Sequence, residues 1–456
     1  MKSEARVSSR TGRPQTAITG FALVLLACSS AVYAASPLPG PWPPEQNVTA
    51  IEASIGGKAA LGDLVTIALR SNPMIRAARA EWRGVVEKYR VDTAWANPEL
   101  MAEGMYPTET LGDTVKPMDW TVGLTQEIPL WGRQGTAGKL SSAEAKIARI
   151  KLDGAVRDVV IQIRQSAAEL RYIESAVQII HGQQALLGKL AAAGAAAYAA
   201  DRASLYDVMK ARAQAGQLDY DGLLLEESAR TEKARLNALL DRPPDAPVGP
   251  IDAAPAQPLA YAISEIDTLA AANAAEILIA GAEQARSEAM ADLTQYETLP
   301  GFKLGVTYGT QLEVKQLGVQ ATVMLPLRFS KNAGRIEAAR ADIERTRALH
   351  GARVNDTRTA VRDLAFRLKN AERLAALYRD DLIPQAERAV ETAQTRLAQG
   401  LGGLGDAAEA QSAWYAFRLA FARAEADRTV LLARLEALAG RSLTVRDAAA
   451  SQEVAK

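Results

Sequence analysis

The sequence predicts a mainly α protein carrying two β-hairpins, made from one design used twice. Three observations predict it: a long-range self-match, clean period-2 alternation, and two helical runs longer than a compact core requires. Displaced by 202 residues, the chain lies on itself, with Ile75 on Ile277, Ala78 on Ala280, Glu81 on Glu283, Pro98 on Pro300 and Tyr106 on Tyr308. Farther along, the offset drifts to 197 at Pro129 and Pro326 and to 199 at Asp207 and Asp406, as short loop insertions would produce.

At the N-terminus, Arg6, Arg10 and Arg13 precede the apolar stretch from Ala17 to Cys28, and small residues follow, the layout of a secretory signal. Cleavage after Val32-Tyr33-Ala34 would remove residues 1–34. Alternatively, Leu25-Leu26-Ala27-Cys28 serves as a lipobox, so that 1–27 is removed and Cys28 becomes a lipidated first residue. Cys28 is the only cysteine, which excludes a disulfide framework. Residues 35–62 form an extended N-terminal segment, proline-rich from Pro37 to Pro44. No later stretch approaches ~18 uninterrupted apolar residues, so no second membrane helix is expected.

The first repeat spans 63–240: a helix, a hairpin over about 99–129, a long helix over about 136–200 and a helix over about 204–240. A linker, 241–264, leads to the second repeat, 265–440, with its helix, a hairpin over about 301–326, a long helix over about 335–399 and a helix over about 406–440; 441–456 is a tail. The strands are clearest in the second copy. Phe302, Leu304, Val306 and Tyr308 share one face against Lys303, Gly305, Thr307 and Gly309, and Leu317, Val319, Ala321 and Val323 alternate with Gly318, Gln320 and Thr322. In the first copy Trp120, Val122, Leu124 and Ile128 alternate with Thr121, Gly123, Thr125 and Glu127. Such strands fit either a half-buried soluble sheet or a barrel wall between lipid and water.

Each long Ala-, Arg- and Glu-rich run of about 65 residues would extend roughly 100 Å at about 1.5 Å per residue. Leu364, Leu368, Leu374, Leu377 and Leu382 recur at helical spacing, as in helices that pack sideways on others like them. Pro384 is the one proline in the second run and predicts a kink. With 53 basic and 53 acidic residues the chain has no net charge and no global attraction to nucleic acid. Aromatic residues make up only 5%, which suits helices packed through small side chains. Four strands cannot close a barrel, since about eight are needed. A pore would therefore need several copies in one wall, and three copies of four strands would give twelve.

At this point the sequence resembles the TolC-like outer-membrane efflux family over nearly all of its mature length. Leu64, Ala68, Leu69, Asn72, Pro73 and Ala77 to Glu81 match the family's opening motif. Ser204-Leu205-Tyr206-Asp207-Val208 with Lys210-Ala211-Arg212, and Gln399-Gly400 leading to Asp406, Ala410, Gln411 and Leu419, match its two helix-turn signatures. Asn97-Pro98-Glu99-Leu100 and the stretch from Thr125 to Arg133 are most similar to the branch serving cobalt, zinc, cadmium or copper exporters. The resemblance implies a homotrimer in the outer membrane, with a twelve-stranded β-barrel continued by a long α-helical periplasmic tunnel. It also implies a periplasmic adaptor and an inner-membrane pump of the resistance-nodulation-division (RND) type as partners, outer-membrane lipid around the barrel, and no cofactor and no catalysis.

Mapped onto the repeat, the hairpin loops face outside and the turns near Asp201 and Gly403 form the periplasmic tip. Asp201, Ser204, Asp207, Gly400, Gly403, Asp406 and Glu409 are the expected aperture or adaptor residues, because inward carboxylates become threefold rings that favour cations. An acid at Asp207 or Asp406 equally suits a helix N-terminus, Ser204 suits a cap, and Gly400 suits a helix end. Leu401-Gly402-Gly403-Leu404-Gly405 departs from the family's usual Ser or Thr-Leu turn.

Other signals carry less. Gly400 to Gly405 fits a dinucleotide pattern but follows a charged helix and not a strand. His181 and His350, the only histidines, sit on different helices without metal-ligand spacing, and Met101, Met105 and Met118 read as lipid-facing or packed strand residues. No nucleophile-base set or paired-carboxylate loop is found, so an enzyme is not expected. Metal cations are the favoured cargo. A multidrug or type I secretion duct and a non-conducting exported helical scaffold are the alternatives.

Overall fold

The computed structural model describes residues 52, 55–105, 118–129, 132–199, 204–252, 258–311 and 314–444. The signal with Cys28, the segment from Pro37 to Pro44, the tip residue Asp201 and the tail after 444 lie outside the described residues. Two compact units divide the chain: Arg90–Gly135 with Tyr296–Phe329, and Glu45–Tyr89 with Thr136–Gln295 and Ser330–Lys456.

In the first repeat, β1 (Ala59–Ala60) leads to α1 (Leu61–Ser71) and α2 (Pro73–Asp92). Strands β2 (Glu99–Met105) and β3 (Asp119–Ile128) follow, then α3 (Arg133–Ala199), α4 (Leu205–Leu239) and β4 (Ile251–Asp252). The second copies this order with α5 (Ile263–Asn273), α6 (Ala275–Tyr296), β5 (Gly301–Gln311), β6 (Val314–Met324), α7 (Phe329–Leu377), α8 (Ile383–Ala398) and α9 (Leu404–Ala439). The bounds of α1 and α5 differ by the 202 residues that the sequence match required.

Local chemistry sets the boundaries. Asn72 stands between α1 and α2. Its Oδ1 accepts from the backbone N–H groups of Met74 (2.9 Å) and Ile75 (3.3 Å), and its Nδ2 donates to the Leu239 carbonyl (2.8 Å). Pro73 then starts α2, where a missing N–H costs nothing. Gly440, at φ 74°, closes α9 in the left-handed conformation that glycine adopts freely. Pro384 falls in the first turn of α8, directly after a π-helical turn, Tyr378–Leu382, in which the Ile383 N–H reaches back to the Tyr378 carbonyl. The expected kink site is thus a place where the helix takes in an extra residue.

The helical unit has equivalent cores in the two repeats. Leu64, Ala68, Ile163, Leu170, Leu236 and Leu240 are buried together in the first. Ile266, Ala270, Val361, Leu368, Leu435 and Ala439 are their counterparts in the second. Each repeat also ties its start to its finish: Ala59 N–H donates to the Pro250 carbonyl (3.1 Å) beside the parallel β1–β4 pair, and Ala260 N–H donates to the Leu443 carbonyl (2.9 Å). Across α3 and α9, Arg423 grips both oxygens of Glu169 (2.9 and 3.0 Å) while its guanidinium lies over Tyr172.

The sheet in the other unit runs β2-β3-β5-β6, antiparallel throughout. Among the described residues, the outer edges of β2 and β6 pair with no further strand.

Candidate functional site

The sheet register sorts its side chains into two faces. Leu100, Leu124, Val306 and Val319 form one cross-strand row, and Ala102, Val122, Tyr308 and Leu317 the next. This apolar face is bare: Leu100 is 75% exposed, Val319 82% and Leu317 69%. A soluble half-buried sheet would cover such rows, whereas a lipid-facing wall leaves them to the bilayer. Trp120 and Tyr308 meet edge to face at 5.9 Å on the same side, where aromatic belts form.

The opposite face carries Glu99, Glu103, Thr121, Thr125, Lys303, Thr307, Gln316, Gln320 and Thr322, with Gly123, Gly305, Gly309 and Gly318 between them. A Cβ on Gly305 would stand 2.7 Å from Thr125 Oγ1, one on Gly318 2.6 Å from Thr307 Oγ1, and one on Gly309 would overlap the Trp120 carbonyl. Glycine here lets the strands coil toward the polar side, as closure around water demands. Met101 lies on this face as well, its Cε covering Gly123. Lys303 Nζ bonds Glu99 Oε1 at 2.7 Å, a pair between non-neighbouring strands that sequence spacing could not reveal.

In the helical unit the two turns that sequence singled out are brought together. Val208 of α4, Leu404, Ala407 and Ala408 of α9, and Leu187 and Leu190 of α3 share one apolar cluster, against which Ala393 and Leu397 of α8 pack. A methyl on Gly194 would overlap Leu404 Cδ2, so the helices approach through this glycine. Ser204 begins α4, its Oγ accepting from the Tyr206 N–H at 3.2 Å. Gly400, at φ 71°, ends the second long helix, and Gly403 begins α9 with its N–H donated to Asp406 Oδ2 at 3.3 Å. Asp406 is therefore engaged as a helix-start acceptor, while Glu409 is exposed on the same helix. Asp207 falls within α4.

Two carboxyls elsewhere in the helical unit sit in environments that oppose or favour their charge. Burial opposes the charge of Glu144, but hydrogen bonds from Lys88 (2.9 Å) and Arg286 (3.1 Å) win and hold its carboxyl below the ordinary value. Burial, with Glu276 nearby, pushes Asp158 up. His181 is exposed and His350 is half-buried near Gly281. Among the described residues no cluster of three metal-ligating side chains occurs, and no helix is long and apolar enough to cross a membrane.

Among the described residues, a duplicated and mainly helical chain carries a four-stranded sheet with one bare apolar face and one glycine-rich polar face, the pattern of an outer-membrane channel wall. The chain belongs to the outer membrane efflux protein family, whose model matches residues 64–242 and 268–441. Solved structures agree on the fold. VceC from Vibrio cholerae is 18% identical with a TM-score of 0.71, over 84% of this chain and 96% of that one. CusC is 14% identical at 0.74, over 84% and 92%. A membrane protein from Pseudomonas aeruginosa is 17% identical at 0.75, over 91% and 97%. Comparison with curated proteins gives no match.

Proposed function

We propose that this protein is the exit duct of a tripartite efflux system, in which three copies pool their strands into a twelve-stranded wall around water. The observation that carries this reading is the four-stranded sheet whose two edges are unpaired among the described residues, which leaves backbone groups that cannot stay open within a bilayer. Pairing β6 of one copy with β2 of the next satisfies both edges. An exposed apolar stripe along α4, Tyr206, Met209, Tyr220 and Leu223, supports side-by-side packing of copies in the helical unit too. The duct receives cargo from a periplasmic adaptor and an RND-type inner-membrane pump, with Ser204, Asp207, Gly400, Gly403, Asp406 and Glu409, together with Asp201, at the aperture or the adaptor contact.

Metal cations are the cargo this reading favours, on the strength of the motifs at Asn97 to Leu100 and Thr125 to Arg133. A strain lacking the gene is expected to lose growth in zinc, cobalt, cadmium or copper while keeping its tolerance of dyes, detergents and antibiotics. Broad drug sensitivity would instead make it a multidrug duct. In planar bilayers the purified protein is expected to conduct, and Glu409→Ala to reduce its cation preference. Extraction by salt alone, without detergent, would overturn the membrane wall.

A further inference from the structure

Three glutamines beside the apolar packing of the paired turns each bury at least one side-chain atom that has no protein hydrogen-bond partner. Gln411, one turn beyond Ala407 and Ala408 on α9, is fully buried, and neither its Oε1 nor its Nε2 meets a protein hydrogen-bonding group. Gln183, one turn before Leu187 on α3, is 1% exposed with Oε1 unpartnered. Gln214, between Ala211 and Leu218 on α4, also buries an unpartnered Oε1. Gln184, next to Gln183, is already committed to Asp219 at 2.8 Å.

The three lie close in level. Gly194 lies against both Leu404 and Val208, which fixes the height of α9 and α4 against α3. Counted from that contact at about 1.5 Å per residue, Gln411 lies about 10 Å along its helix, Gln214 about 9 Å and Gln183 about 16 Å. The first two share a level and the third lies about one turn farther along. Tyr415, one turn beyond Gln411, packs against the same cluster. Its phenol is pushed up to about 12 by burial, with Asp221 and Tyr172 adding to the shift, so the hydroxyl stays protonated and can both donate and accept.

Leucine or methionine would fill these positions with no orphaned group, and a buried amide without a partner is the costlier choice for the packing seen here. Such a choice is rational where a second packing has to remain reachable. We propose that Gln183, Gln214 and Gln411 form an amide layer that keeps the resting packing of the two turns shallow. Sliding α9 against α3 and α4 would exchange orphaned amides for amide-to-amide and amide-to-Tyr415 hydrogen bonds. The layer then sets how readily the end of the duct rearranges, an inference that rests on the duct reading above.

The test uses the full chain, melted in detergent and recorded in planar bilayers. Gln411→Met preserves side-chain length and flexibility while removing both orphaned groups, and Gln183→Met serves as the second variant should the first fail to fold. The expected result is a higher melting temperature and a several-fold smaller fraction of time in the high-conductance state. A lower melting temperature in the folded variant would overturn the proposal, because it would mean that the amide is satisfied where it stands. An unchanged open fraction beside a raised melting temperature would overturn it too. Wild-type protein that passes no current overturns the duct reading instead, and the melting comparison alone then decides the amide layer.

Discussion

At the scale of single residues, glycine and charge do different work in the two units. Gly318 faces Thr307 Oγ1 closely enough that an added Cβ would stand 2.6 Å away. Gly318→Val should therefore cost about 1–3 kcal/mol through overpacking, read as a lower melting temperature of the detergent-extracted protein. Gly62→Ala, where no neighbour lies within 4 Å, should be harmless. For Glu144 the sign follows from its lowered carboxyl. The pair with Lys88 and Arg286 adds stability above the ordinary value of 4.5 and loses it as pH falls through the folded-state value. Because both cations are half-exposed, Glu144→Gln should cost only about 1 kcal/mol at neutral pH. That gap should vanish once the wild-type carboxylate is protonated, as paired melting curves would reveal. The residues at the turns were legible only in part. Ser204, Gly400 and Asp406 have types that helix ends require, so their local roles could be read from sequence, whereas a buried Gln411 looks like any solvated helix polar residue until its neighbours are known.

Among the elements, the strands and most helices were legible because each has one dominant period. The alternation at Phe302 to Tyr308 and at Leu317 to Val323 left no other face assignment, and β5 and β6 pair in that register. The π turn was not legible. Pro384 announces a missing N–H, but nothing in its sequence neighbourhood says whether the chain bends or absorbs a residue. Deleting Asp381 should return α7 and α8 to one continuous helix, placing Pro384 in its interior at a cost of about 3 kcal/mol. The same deletion combined with Pro384→Ala should recover most of that loss. Circular dichroism melting of the two variants checks this, and equal loss in both would show that the extra residue is needed for the packing of α8.

For the whole molecule, duplication was the most legible property, since a match that runs from the opening helices through both hairpins with only a small drift in offset leaves little freedom in the fold. What sequence could not give was how the repeats close. The lead-in strand of the first finishes against its own last residues, Ala59 on Pro250, and the second does likewise, Ala260 on Leu443. Neither fastening borrows a backbone group from the other half. A gene encoding only one of them would already specify a module with joined ends and one β-hairpin to contribute. Two such half-length polypeptides would have needed no new joint to become the present chain, only fusion end to end.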